Sequence, residues 1–195
     1  YTGMLPGFVA GHYAREEIMI DLITLARRAG ARVILDRVTG IDRAGKRLIL
    51  AGRDALPYDL ASIDIGITSD LPDLPGFVDH GLAAKPLGPF ATRWQAFAAQ
   101  PRCEPAHVVV IGGGVGGVEL ALAAHHRLGQ SGPAPQITIV ERGPKVLAIL
   151  APRVRAMMLA AVKTAGIALR CGAQPVAMDA GSLTLADGQV LAADL

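Results

Sequence analysis

Residues 107–128, HVVVIGGGVGGVELALAAHHRL, decide the fold: a short apolar run passes straight into a glycine cluster and then into a helical pattern. A strand buried on both faces reads as continuous apolar sequence rather than alternation, and His107 to Ile111 has that form. Gly112, Gly114 and Gly117 satisfy G-x-G-x-x-G at the strand-to-helix corner. Missing side chains at the first two positions let the backbone turn sharply and approach a diphosphate, and the third lets the helix pack closely on the strand. The start of the helix adds unpaired N–H groups and the positive end of its dipole. Gly112, Gly113, Gly114, Val115, Gly116 and Gly117 are therefore the expected diphosphate loop of a nicotinamide dinucleotide site.

Working outward, the next strand is QITIVE at 136–141, and Glu141 stands 24 residues past Gly117. A carboxylate at that strand end can accept hydrogen bonds from ribose hydroxyls and would repel a 2'-phosphate, which favours NADH over NADPH. Arg142 beside it could pair with the extra phosphate, so NAD(P)H is the safer statement of the ligand. Glu119, early in the helix, either faces the nicotinamide end or complements the helix dipole. Two rival readings of the loop exist. One is a glycine-rich turn without a ligand; the other is a methyltransferase loop for S-adenosylmethionine, since Gly112, Gly114 and Gly116 also fit G-x-G-x-G.

Downstream, Pro152 opens a helix, PRVRAMMLAAVKTA, that ends at Gly166, and IALRC at 167–171 is a strand. Short strands follow at 175–178, 182–185 and 189–191, the last two joined by the turn Asp187-Gly188. Upstream, a helix is expected over 15–29 with Gly30 as its cap, then strands at 32–35, 38–41, 46–50 and 60–67. Set side by side, LARRAGARVIL followed by VTGID, KRLIL and PYDL matches AVKTAGIALRC followed by PVAMD, SLTL and AADL. The offsets are 136 from Gly30 to Gly166, 137 from Asp42 to Asp179 and 135 from Asp59 to Asp194. This is an internal repeat. The repeat and the three-strand excursion after Cys171 argue against the methyltransferase. The expected fold class is α/β: a Rossmann-like FAD/NAD(P)-binding fold with a parallel sheet plus a three-stranded β-meander, present as two incomplete repeats.

Three segments are expected: 1–67 as the C-terminal part of an FAD-binding domain, 68–106 as a connecting segment rich in Pro and Gly, and 107–195 as an NAD(P)H-binding domain lacking its last strand. A short helix is expected at 91–99, with Trp94 and Phe97 packing against a neighbouring domain.

Composition narrows the class. Lys and Arg number 19 against 17 Asp and Glu, scattered rather than clustered, so nucleic acid is not an expected partner. Half the residues are hydrophobic (51%), much of that alanine, and no run approaches the roughly 18 apolar residues of a membrane span. No signal peptide is visible in YTGMLPGF, and Tyr1 in place of Met leads to the expectation that the native start lies upstream. Cys103 and Cys171 form no CxxC or CxxxxC pair and are expected to be packing residues. His125 and His126 suit a helix C-terminus, and His12 is expected to cap or pack; no metal site is expected.

YTGMLPGFVAGHY, IDIGITSDLPDLPGF, KPLGPFATRW and VVVIGGGVGGVELALAAHHRL together resemble the FAD-containing NADH dehydrogenase-like proteins associated with, or fused to, selenide, water dikinase. These belong to the pyridine nucleotide-disulfide oxidoreductase superfamily, beside the type II NADH dehydrogenases. GGGVGGVE is specific to the superfamily, and YTGMLPG with AGHY points to the branch. The resemblance implies a flavoprotein in which Thr2 to Gly7, including Pro6, lie by the flavin, Val38 lies near its adenine and Gly66 marks the return of the chain to it. It implies hydride transfer from NADH to FAD and on to a small-molecule electron acceptor, with no acid or base residue required. The family's FAD diphosphate loop and C-terminal flavin-contacting segment are not in this sequence, so further parts of the same chain are expected partners. A homodimer, selenide, water dikinase as partner, and a cytoplasmic protein peripheral at the membrane complete the expectations.

Overall fold

The structure, a computed structural model, describes residues 1–66 and 73–195. Two compact units divide the chain: Tyr1–Met19 with Thr68–Leu195, and Ile20–Ile67. Compactness thus groups the first 19 residues with the C-terminal part of the chain.

In the larger unit a 3-10 turn, Thr2–Met4, leads into α1 (Leu5–Val9). The smaller unit holds α2 (Leu22–Arg28), β1 (Val38–Asp42), β2 (Arg47–Leu50) and β3 (Leu56–Pro57). The chain then continues in the larger unit with α3 (Phe77–His80), α4 (Leu87–Ala98), β4 (His107–Ile111), α5 (Val115–Leu128), β5 (Gln136–Glu141), α6 (Pro152–Thr164) and β6 (Ala168–Cys171), and closes with β7 (Pro175–Met178), β8 (Ser182–Leu185) and β9 (Val190–Ala192).

The centre of the larger unit is a parallel sheet in the order β4-β5-β6, with α5 and α6 as crossovers. On one face Val118, Ala121 and Ala124 of α5 pack with Ile137, Ile139 and Val162. Alanine at that spacing lets the helix lie close to the strands. On the other face Val140 packs with Leu74, Leu183 and Leu185 under the antiparallel meander β7-β8-β9. Both faces of β5 are covered, which is why Ile139 and Val140, adjacent and on opposite faces, are both buried. The indole N–H of Trp94 donates to Val9 O at 3.2 Å and ties α4 to α1. Trp94 and Phe97 pack in one core cluster with Leu5, Phe8 and Val9 from the start of the chain and with Val108 and Ala124 from beyond 107.

In the smaller unit Asp21 caps α2, accepting from the amides of Ile23 at 2.9 Å and Thr24 at 3.1 Å. Side-chain capping there starts the helix seven residues later than the periodicity suggests. Strands expected at 32–35 and 60–67 are absent over 32–35 and 60–66, while residue 67 lies outside the described residues. A strand exists only against a ladder partner, and this unit offers none beside those segments. Leu22, Ile23 and Leu25 of α2 are more than half exposed for the same reason.

The repeat is visible in backbone detail. Gly30 and Gly166 both adopt left-handed φ, +66° and +68°, just past their helices. Both meanders carry a register irregularity, between Val38 and Gly40 and between Pro175 and Ala177. Asp42 and Asp179 each accept an amide of their hairpin turn, from Gly45 and Gly181, at 2.9 Å.

Candidate functional site

The glycine loop has the geometry its spacing implies. Gly112 sits at φ +113°, where a side chain is strained, and turns the chain out of β4. A Cβ on Gly117 would lie 2.0 Å from Gly112 O, so only glycine lets α5 reach the loop. Gly114, the N-cap of α5, would project a Cβ into open space, as would Gly116. No side chain caps the helix, and the amides of Gly114, Val115, Gly116 and Gly117 have no partner among the described residues. Four donors at a helix N-terminus beside open volume form a seat for an anionic oxygen.

Glu141 ends β5 with its carboxylate on this loop. Its Oε2 accepts the Gly113 amide at 2.7 Å and its Oε1 the Gly143 amide at 2.6 Å. The Gly143 bond, then the Gly113 bond, hold its carboxyl below the usual range; burial opposes them and the Arg142 charge assists. An ionised carboxylate offers about four acceptor positions, so two remain for ligand hydroxyls. Arg142 is exposed and makes no salt bridge among the described residues.

The opposite side of the loop opens on a cavity of about 660 Å³ along the outer edge of β4. Thr2, Pro6, Gly114 and Glu119 line it, with Trp94 and Ile111 in its apolar wall. At one end of that edge Asp194 N donates to His107 O at 2.7 Å and Val109 N to Leu195 O at 3.0 Å. Gly112, Gly114, Gly116, Gly117, Glu119, Thr2 and Pro6 thus line one region, whereas Gly113 turns its amide to Glu141, which flanks the loop on the β5 side with Arg142 next in sequence.

The remaining expected residues fall elsewhere. Val38, at the start of β1, and Gly66, with no side chain or backbone atom within 4 Å of a built Cβ, belong to the smaller unit. The residues present fit a nicotinamide dinucleotide. The four expected FAD contacts are divided between the two units, Thr2 and Pro6 in the larger and Val38 and Gly66 in the smaller.

Cys103 and Cys171 are both free and exposed, which corrects the expectation of packing. Cys103 lies in a turn of the connecting segment, and Cys171 ends the edge strand β6, where one side of the ladder is open. The His12 and His126 rings lie 5.2 Å apart, and His126 Nε2 contacts Gln130 Nε2 at 2.8 Å. No group of three His, Cys, Asp or Glu side chains suits a metal ion among the described residues.

Two features escaped the sequence reading. Thr2 and Pro6 were expected near a cofactor, but not that Thr2 to Val9 forms helical turns that wall the cavity, although Pro6 in a first turn is a usable helix signal. Val146 and Leu147 pack under Gly113, and nothing in RGPKVLA announces that loop as part of the site.

Comparison with known proteins agrees with this geometry. The chain is 32% identical over 136 residues to demethylphylloquinone reductase NdbB of Synechocystis sp., covering 69% of this chain and 33% of that protein. Among solved structures it resembles the ferredoxin reductase for the CYP199A2 system from Rhodopseudomonas palustris, with TM-score 0.76, 25% identity, and 93% of this chain and 44% of that one covered. It shares its fold with an NAD-dependent persulfide reductase from A. fulgidus, with TM-score 0.82, 19% identity, and 100% and 37% covered. The chain therefore spans between a third and a half of the length of these relatives. A profile of the pyridine nucleotide-disulphide oxidoreductases matches residues 4–195, and with that match over nearly the whole sequence the chain belongs to this family.

Proposed function

We propose that this chain is the NAD(P)H-binding part, with a portion of the flavin half, of a flavin-dependent NADH dehydrogenase that passes hydride from NAD(P)H to FAD and on to a small-molecule acceptor. The observation that carries the proposal is the set of four unpartnered amides, Gly114 to Gly117, beside a carboxylate held ionised at Glu141. Those amides would receive the diphosphate, and the free lone pairs of Glu141 the ribose hydroxyls, which favours NADH. Arg142 could accept a 2'-phosphate and admit NADPH. Glu119 lines the cavity beyond Gly114, which supports a role for it at the nicotinamide end.

The cofactors supply the hydride chemistry, and the work of the protein is to hold and orient them. Residues 107–195 would form the NAD(P)H domain, 68–106 the connection, and 1–67 part of the FAD domain. Thr2, Pro6, Val38 and Gly66 are proposed FAD neighbours on the family resemblance alone, and further parts of the protein would complete that pocket. The apolar side chains left open on α2 support this, because the equivalent helix α6 covers a parallel sheet. Association with selenide, water dikinase, a homodimer, and a cytoplasmic site peripheral to the membrane are proposals of the same standing; no helix among the described residues is long and apolar enough to cross a membrane.

Stopped-flow mixing of the protein, at the full length of its relatives and loaded with FAD, with NADH and with NADPH tests the reading. Bleaching of the flavin band, faster with NADH, is expected. Protein that binds neither nucleotide, or binds NADH without any bleaching, would defeat it, the second outcome indicating a nucleotide-sensing module.

A further inference from the structure

Leu147 has a backbone that its side chain disfavours. Its φ is +54°, and among the described residues only Lys46 is another non-glycine with positive φ. Lys46 is exposed in a hairpin turn, whereas Leu147 is 1% exposed. Core filling alone does not require that conformation, because a leucine in ordinary backbone can fill a core.

The left-handed turn has one visible product. It aims the Leu147 N–H at Gly113 O, which it meets at 2.7 Å. Neighbouring bonds fix the segment: Arg155 Nε donates to Val146 O at 2.9 Å, Gly172 N to Gly143 O at 2.8 Å, and Gly143 N to Glu141 Oε1 at 2.6 Å. The peptide that carries Gly113 O is the one that carries the Gly114 N–H. A trans peptide is planar with its C=O and N–H opposed, so gripping the oxygen from the Leu147 side turns the Gly114 N–H away from Leu147; that amide has no partner among the described residues, and Gly114 lines the cavity.

We propose that Leu147 is a positioning residue whose left-handed backbone orients the Gly113–Gly114 peptide and so sets the dinucleotide affinity of the loop; this rests on reading the loop as a nucleotide site. Leu147 touches no ligand in this scheme. It acts through Gly113 O.

Two substitutions separate backbone from side chain. Leu147→Ile keeps the apolar volume but is β-branched, which resists positive φ strongly. Leu147→Gly removes the side chain and makes that φ easy. In the full chain, titrated with NADH and melted by circular dichroism, Leu147→Ile is expected to weaken NADH binding about tenfold and also to lower Tm, because the strained backbone must shift. Leu147→Gly is expected to lower Tm clearly yet keep its NADH Kd within about threefold of wild type, measured where it is folded. Unchanged affinity in Leu147→Ile, or affinity that follows side-chain volume, overturns the proposal; if Leu147→Gly does not fold, Leu147→Ile decides. Wild-type protein without NADH affinity sinks the reading of the loop as well, whereas wild-type binding with no effect at position 147 sinks this inference alone.

Discussion

The carboxylate of Glu141 grips the amide of Gly113, 28 positions earlier in the chain, at 2.7 Å, and so joins the end of β5 to the loop that follows β4. Glu141→Gln keeps one acceptor but turns an amide N–H₂ toward a second donor. A hydrogen bond to a charged group contributes about 1.5–3 kcal/mol, so NADH affinity is expected to fall roughly 10- to 100-fold, as read by fluorescence titration.

The same contact fixes a pH response. Gly143 and Gly113 amides lower the Glu141 pKa below its ordinary 4.5, so the stabilisation they give is complete above that value and is lost as pH falls through the depressed folded value. NADH affinity and Tm should be flat from neutrality to about pH 5 and then decline. Arg142 is the neighbouring charge that assists, and its neutral replacement Arg142→Gln should move the decline to higher pH. A Glu141→Gln protein with the same acid decline as wild type would assign that step to another carboxylate.

Gly117 and Gly114 should fail in opposite ways. Gly117→Ala places a methyl against Gly112 O, and overpacking of this kind costs about 1–3 kcal/mol, visible as a lower Tm before any ligand is added. Gly114→Leu meets nothing within 4 Å and sits at φ −73°, so its cost to stability should be limited to that of a poorer N-cap residue, about 0.5–1 kcal/mol. Its side chain fills the space where a diphosphate must approach, and NADH affinity should drop at least about tenfold. Equal effects on Tm at both positions would contradict the distinction.

Gly113→Ala carries its own repair. The new Cβ would lie 2.5 Å from Val146 Cγ1 and 3.0 Å from Glu141 Cβ. Pushing the peptide should weaken NADH binding, and adding Val146→Ala should recover part of it, although Val146→Ala alone costs about 1–2 kcal/mol in the core. Affinity in the double variant no better than in Gly113→Ala would show that Val146 is not the obstruction.

Trp94 should matter for stability. It is buried and donates to Val9 O, so Trp94→Phe should cost about 1–3 kcal/mol by leaving that carbonyl short of a donor, and Trp94→Ala about 3–5 kcal/mol by opening a cavity. Chemical denaturation followed by circular dichroism measures both, since Trp94 is the one tryptophan in the sequence and its fluorescence is lost in each.

What the sequence disclosed was local. From His107 to Glu141 the strand, loop, helix and strand lie within a residue or so of their expected places, because glycine geometry and apolar periodicity act over a few positions. The duplicated meander was legible for the same reason: Gly30 and Gly166 end their helices through left-handed backbone, and Asp42 and Asp179 hold their turns through their carboxylates. What was hidden depended on neighbours distant in sequence. Residues 32–35 and 60–66 have strand-like sequence but no partner in their unit, and Cys171 looks like a core residue until β6 proves to be an edge. The left-handed Leu147 was invisible because nothing in VLA distinguishes an ordinary buried leucine from one whose amide serves a loop 34 positions earlier.

The matching kinks at Val38/Gly40 and Pro175/Ala177 fall at the same step of the two meanders. Each leaves a left-handed glycine, bends at the same step and closes its hairpin on an aspartate, so each presents the same connectors to whatever it is spliced into. The bend is thus written into each meander's own sequence, and a chimera in which both units carry the sequence of 175–192 is expected to keep it at the same step.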